Sequence, residues 1–239
     1  MSITTPRWKL CLATAAAVSI LAAPQIASAA PDGEPTPTLM AEWQVTGMIS
    51  DGDAHGWPLY AKLSFEGIDD PIFTDPATGY FSEVVPEGDY TVVVESLYAG
   101  YQAAEMEVSV TGGDVDASSE LPLSGENCKA PGYRTSADGR GCDAVDGGMV
   151  IGHVLADEQP HVAYAVDDAV VEDTVTGVTS VSRATPDDAA LRDGFYSLFT
   201  TATGDHEFEI QHPDWPAVRY DVDVVAGELL FKEFYLYDQ

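Results

Sequence analysis

Apolar and polar residues alternate along this chain with a period of two, and that constrains its fold more than any other feature. Ala104, Met106, Val108 and Val110 alternate with Glu105, Glu107 and Ser109. Phe208 and Ile210 alternate with Glu207, Glu209 and Gln211, and Tyr220, Val222 and Val224 with Asp221 and Asp223. Side chains of a strand point to opposite faces in turn, so each stretch buries one face and wets the other. Turn signals punctuate the runs at Asp51-Gly52, Pro76-Ala77-Thr78-Gly79, Glu87-Gly88-Asp89, Gly112-Gly113 and Gly204-Asp205. Short strands at this spacing predict an all-β chain of antiparallel β-sandwiches.

The landmarks occur twice in the same order. Gly79-Tyr80-Phe81-Ser82 corresponds to Gly194-Phe195-Tyr196-Ser197, and Gly88-Asp89-Tyr90-Thr91-Val92 to Gly204-Asp205-His206-Glu207-Phe208. Val108 to Gly112 corresponds in the same way to Val222 to Gly227. This is a diverged tandem repeat, with one sandwich expected over 42–123 and a second over 149–239. Between them, 124–148 is rich in Gly, Asp and Ser and reads as a linker. It holds Cys128 and Cys142, an even pair with no CxxC spacing, which predicts a disulfide. Closing a loop of about 15 residues contributes about 3 kcal/mol in the chain-entropy view.

At the N-terminus, Arg7 and Lys9 precede the apolar run Leu10–Ala23, and small residues follow at Ala27, Ser28 and Ala29. That is the pattern of a secretory signal peptide over 1–29, with a flexible leader over 30–41, and it places the protein outside the cytoplasm. The 239 residues carry a formal net charge of −30. Phosphate recognition needs clustered Lys and Arg, so nucleic acid and anionic lipid surfaces are excluded as partners. The carboxylates are spread along the chain, which reads as solvation rather than as a set of Ca²⁺ sites.

The landmark residues carry a family resemblance. Val45-Thr46-Gly47, Gly56-Trp57-Pro58-Leu59-Tyr60-Ala61, Thr74 to Tyr80, Pro86 to Thr91 and Ala99-Gly100-Tyr101 resemble the carboxypeptidase regulatory-like domain. Val150 to Val154, Asp193 to Tyr196 and Val225 to Gly227 repeat the pattern more weakly. The resemblance implies a transthyretin-like or immunoglobulin-like sandwich in each half. Together with Asn127-Cys128-Lys129-Ala130-Pro131-Gly132-Tyr133, the first half resembles accessory modules of exported bacterial subtilisin-like proteases. No Gly-Thr-Ser-Met or His-Gly-Thr segment is present, so the protease activity does not carry over.

No motif for nucleophilic, metal or nucleotide chemistry appears, and His55, His153, His161, His206 and His212 are scattered. No enzyme activity, catalytic residue or cofactor is expected. Asp51 and Asp53 open a stretch like the start of a Ca²⁺ loop, but His55 and Lys62 stand where oxygen ligands belong. Ca²⁺ is therefore a weak candidate cofactor, and a hairpin turn is the better reading. Trp57, Tyr60, Tyr98, Tyr101 and Trp215 lie near predicted turns and are candidates for stacking on a ligand; the competing reading has them plugging the ends of the sandwiches. The leading functional expectation is an exported non-enzymatic binding or accessory protein with a protein or cell-envelope partner. The alternatives are a carbohydrate-binding module, a detached protease tail, or an enzyme whose site leaves no motif.

Overall fold

The computed structural model describes residues 41–237 apart from 126–127, 159–161 and 188–192. The expected signal peptide (1–29) and leader (30–41, Ala41 excepted) lie outside the described residues. Among the described residues every regular element is a strand, and none is a helix long and apolar enough to cross a membrane.

The first repeat comprises β1 (Glu42–Asp51), β2 (Ala61–Phe65), β3 (Ile72–Phe73), β4 (Tyr80–Pro86), β5 (Gly88–Ser96), β6 (Ala104–Val110), β7 (Val115–Asp116) and β8 (Ser119–Leu121). One sheet runs β4-β1-β7 with β8 also on β1; the other runs β3-β2-β5-β6. A hairpin of β9 (Tyr133–Thr135) and β10 (Cys142–Ala144) follows. The second repeat comprises β11 (Gly148–Glu158), β12 (Val162–Ala165), β13 (Val170–Asp173), β14 (Val178–Val181), β15 (Phe195–Thr200), β16 (Gly204–His212), β17 (Trp215–Val224), β18 (Leu229–Phe231) and β19 (Phe234–Tyr237). Its sheets run β12-β11-β15, with β18 and β19 on β11, and β14-β13-β16-β17.

The two repeats share one topology. β1 pairs antiparallel with β4 and parallel with β7 and β8; β11 pairs antiparallel with β15 and parallel with β18 and β19. The parallel pairings depart from an all-antiparallel expectation. The chain leaves β6 or β17 in one sheet and crosses to the other, so it arrives beside the first strand running in the same direction.

Two glycines fix the equivalence at atomic detail. Gly79 (φ +69°) and Gly194 (φ +61°) have left-handed backbones. A Cβ would fall 2.3 Å from the Ile49 carbonyl oxygen at Gly79 and 2.4 Å from that of Val154 at Gly194. Each glycine carbonyl accepts the N–H of that same residue at 2.9 Å. Only a residue without a side chain satisfies both demands.

Each repeat has its own core. Ile49, Leu63, Phe81 and Leu121 are sealed in the first, and Tyr196, Phe208, Ile210, Phe234 and Leu236 in the second. Burying one such side chain contributes roughly 1.5–3 kcal/mol. Over Met149–Ile151, β11 is buried on both faces. Val150 and Val154 face the second core, while Met149 and Ile151, joined by Phe195 from β15, complete the first. An unbroken apolar run such as Met149-Val150-Ile151 is what a strand covered on both sides requires. The two sandwiches are therefore packed sheet against core, and the described residues of both belong to one compact unit.

Candidate functional site

Polar and aromatic side chains concentrate at two places. The first is the joint where the linker hairpin and the two repeats meet. Asp51 ends β1 and is buried. Its Oδ2 accepts the Tyr133 hydroxyl at 2.6 Å and its Oδ1 the Asp53 N–H at 2.8 Å. The Tyr133 oxygen in turn accepts the His55 N–H at 3.2 Å. His55 donates from Nε2 to the Gly132 carbonyl at 2.9 Å. The His55 ring stacks on Trp57 at 4.0 Å, with Tyr133 edge-on at 4.9 Å. Trp57 closes the chain by donating from Nε1 to the Gly227 carbonyl of the second repeat at 2.7 Å. Burial, and then the hydrogen bond to Asp51, hold the Tyr133 phenol above the usual tyrosine range.

In this geometry the acidic candidates accept hydrogen bonds from protein donors. Asp51 spends both carboxylate oxygens on protein donors, and Asp53 Oδ2 accepts the Leu123 N–H at 3.2 Å. Among the described residues no group of three His, Cys, Asp or Glu converges as a metal set. The Asp53 N–H bonded to Asp51 makes an Asx turn, and the chain folds back through the single Ser50–Pro58 bridge, while β2 joins the other sheet.

The aromatic candidates separate into two groups. Trp57, Tyr60 and Tyr98 are 4%, 3% and 6% exposed, and so offer no face to a ligand. This corrects the stacking expectation for those three. They do lie near turns, but the second repeat packs over Trp57 and Tyr60, and Tyr98 is enclosed in the first core. Tyr60 meets Phe195 edge-on at 5.4 Å and donates its hydroxyl to the Asp187 carboxylate. Trp57 lies 6.0 Å from Phe199. Tyr101 is half-buried against Ala130 and Tyr133 of the linker. Trp215 is half-buried at the start of β17, with Tyr164 at 6.4 Å.

Cys128 and Cys142 form the expected disulfide, with Cα atoms 5.4 Å apart. It ties the start of the linker to β10, and Cys128, Ala130 and Tyr133 make a small core of their own. The bridge thereby holds Tyr133 against Asp51.

The second concentration gave no motif in the sequence. Asp173, the last residue of β13, has no exposed surface, and His206 on β16 is 3% exposed. Asp173 Oδ2 accepts Thr176 Oγ1 at 2.5 Å, Thr200 Oγ1 at 2.7 Å and His206 Nδ1 at 2.9 Å. Its Oδ1 accepts the Val175 N–H at 3.0 Å. Burial alone would raise this carboxyl; the hydrogen bonds from Thr176, Thr200, His206 and Val175 outweigh it and hold the carboxyl below its ordinary value. The Thr200 hydroxyl donates to Asp173 and not to the histidine. The hydroxyl-to-imidazole contact that activates a nucleophile is absent from this group.

Buried hydroxyls repeat as well. Thr74 Oγ1 donates to the Leu59 carbonyl at 2.6 Å and accepts the Ala61 N–H at 2.8 Å. Ser182 Oγ donates to Val166 at 2.6 Å and accepts the Ala169 N–H at 3.0 Å. Thr74 lies within the landmark segment of the first half, but Ser182 has no matching landmark around it, so the sequence pattern passed it over.

No family model matches this chain, and no curated protein matches it. Solved structures do. The TIE protein of Bacillus anthracis matches at 11% identity over 82% of this chain and 34% of its own length, with a TM-score of 0.29. A minor pilin of Streptococcus agalactiae matches at 11% identity over 82% of this chain and 96% of that one, with a TM-score of 0.29. A DUF3823 family protein of Parabacteroides merdae matches at 14% identity over 78% and 98%, with a TM-score of 0.30. This chain spans about a third of the first of these proteins.

Proposed function

We propose that this chain is an exported, non-enzymatic binding or accessory protein of two carboxypeptidase regulatory-like domains, which engages a protein or cell-envelope partner without a cofactor. The observation that carries the reading is the use of its polar side chains. The two groups best placed for chemistry, Asp51–Tyr133–His55 and Asp173–His206–Thr200, are consumed in hydrogen bonds that hold the fold. Both are largely buried, and neither pairs a hydroxyl with a basic nitrogen. What faces solvent is an acidic surface crossed by strand edges, and sheet edges bind extended partners through main-chain hydrogen bonds. The formed disulfide and the signal-like N-terminus support an oxidising, exported setting. Sugar recognition draws no support from Trp57, Tyr60 or Tyr98, which are enclosed.

The test is to incubate the tagged protein with isolated envelope and secreted fractions of its own cells, crosslink, and compare with an array of glycans. A saturable protein or envelope partner together with a flat glycan array is the expected result. Turnover in a panel of ester, peptide and glycoside substrates, abolished by His206→Ala or His55→Ala, would overturn it.

A further inference from the structure

One sheet face is covered in the second repeat and bare in the first. The strand registers align the two repeats residue by residue. Met48 opposite Tyr80, Thr46 opposite Ser82 and Gln44 opposite Val84 match His153 opposite Phe195, Ile151 opposite Ser197 and Met149 opposite Phe199. These side chains lie on the face that points away from their own repeat's core, out of phase with Val45 and Ile49 in β1 and with Val150 and Val154 in β11.

In the second repeat that face is an interface. Met149, Ile151 and Phe195 belong to the first core. The turn end of the first repeat sits on them, with Tyr60 5.4 Å from Phe195 and Trp57 6.0 Å from Phe199. The Trp57 indole N–H donates to the Gly227 carbonyl at 2.7 Å. In the first repeat the matching face is open: Met48, Tyr80 and Val84 are 52%, 45% and 56% exposed. The parallel registers also put Gly112 where Gly227 stands, and both have left-handed backbones, at φ +69° and +75°.

The rims of the two faces differ, and the difference selects the occupant. The same registers put Asp114 and Asp116 in the first repeat where Leu229 and Phe231 stand in the second. Glu120 lies beside Ser50, and a groove lined by Met48, Ser50, Ser118, Ser119 and Glu120 opens there. β1, β4, β7 and β8 contain no lysine, arginine or histidine. An exposed apolar patch with a polar rim marks an interaction surface, and a carboxylate rim favours a cationic partner. The protein as a whole carries −30, so a second copy would approach against repulsion.

Building on the binding-protein reading above, we propose that the outer face of the first repeat's β4, β1, β7 and β8 docks the turn end of a β-domain from a partner protein. Aromatic residues of that turn cover Met48, Tyr80 and Val84, as Trp57 and Tyr60 cover Phe199 and Phe195. Lysine or arginine beside them meets Asp114, Asp116 and Glu120.

The test titrates the isotope-labelled full chain with the disulfide-closed peptide Cys-Lys-Gly-Trp-Pro-Leu-Tyr-Lys-Cys, which sets the Gly56–Tyr60 turn between two lysines, followed by amide NMR. Expected are saturable shift changes concentrated at Met48, Ser82, Val84 and Gly112. Binding should be at least fivefold weaker when both lysines are replaced by glutamate, and weaker as salt is raised. Val84→Lys, which replaces an exposed apolar side chain with a repelling charge, should also weaken binding at least fivefold and leave the spectrum of the second repeat intact. Met48→Lys on the neighbouring strand should do the same.

Peptide in excess that leaves Met48, Ser82 and Val84 unmoved overturns the proposal, as does equal binding of the glutamate peptide or by both lysine variants. A free protein that sediments as a dimer dissociated by Val84→Lys also overturns it, because the occupant is then a second copy. An envelope partner that binds Val84→Lys and Met48→Lys as tightly as the unaltered chain refutes this face while the binding-protein reading stands. The absence of any saturable partner in the envelope and secreted fractions would overturn both.

Discussion

Asp173 and His206 stand in the second repeat where Phe65 and Tyr90 stand in the first. Phe65 pairs with Val92 and Asp173 with Phe208, while Tyr90 faces Val108 and His206 faces Val222 in matching registers. In the first repeat the two positions hold an edge-to-face aromatic pair at 6.0 Å. In the second they hold a carboxylate and an imidazole 2.9 Å apart, with side chains 0% and 1% exposed. One fold thus fills the same interior position once with rings and once with a hydrogen-bonded polar group.

His206→Ala removes one donor from a buried carboxylate and is expected to cost about 3 kcal/mol in urea unfolding. The double change Asp173→Leu with His206→Phe moves the site toward the apolar solution of the first repeat and should cost less than His206→Ala alone. The pH dependence has a definite sign. Hydrogen bonds keep Asp173 below the ordinary carboxylate value. Its contribution is therefore complete above the unfolded-state value of about 3.9 and is lost as pH falls through the lower folded value. Asp173→Asn should flatten the stability profile in that acidic window and leave its slope near neutrality unchanged.

Gly79→Ala and Gly194→Ala should each destabilise by more than about 2 kcal/mol, since a left-handed alanine costs about 1–2 kcal/mol before any clash. Gly112 provides the control. It has φ +69° but nothing within 4 Å of a built Cβ, so Gly112→Ala should lose only the conformational part. Equal losses at all three sites would remove the close approach to Ile49 and Val154 as a cause.

Reducing the Cys128–Cys142 bridge, or replacing both cysteines by serine, should lower stability by about 3 kcal/mol. The local effect should be larger than the global one. Amide exchange should accelerate first at Gly132, Tyr133 and His55, because the bridge holds Tyr133 against Asp51.

Thermal unfolding should be the same in millimolar Ca²⁺ as in chelator, because Asp51 and Asp53 are committed to Tyr133, Asp53 N–H and Leu123 N–H. A ligand that binds only the native state raises the transition by mass action. A rise of several degrees with Ca²⁺ would place a metal site elsewhere on the acidic surface.

Much of the fold was legible because it rests on local rules. The alternation of Ala104–Val110 marks β6, and that of His206–Gln211 lies within β16. Gly79 and Gly194 declare their turns by what they lack. The joint was less legible because exposure is a property of the whole assembly: Trp57 and Tyr60 lie beside turns, and nothing near them announces that Phe199 and Phe195 of β15 will pack against them. One available signal was the unbroken apolar run at Met149–Ile151, which demands burial on both faces. Asp173 and His206 lie 33 residues apart, so their contact exists only once β13 and β16 are in register. Aligning the repeats could have exposed them, since two core positions turn polar together.

Met149, Ile151 and Phe195 in the first core and the Trp57–Gly227 hydrogen bond join the two repeats, so the two should unfold together. Differential scanning calorimetry of the whole protein tests it most directly. A single transition is expected, with calorimetric and van't Hoff enthalpies that agree, and Trp57→Phe should destabilise it by about 1 kcal/mol without splitting it. Two resolved transitions in the unaltered protein, each with the enthalpy of one sandwich, would contradict it.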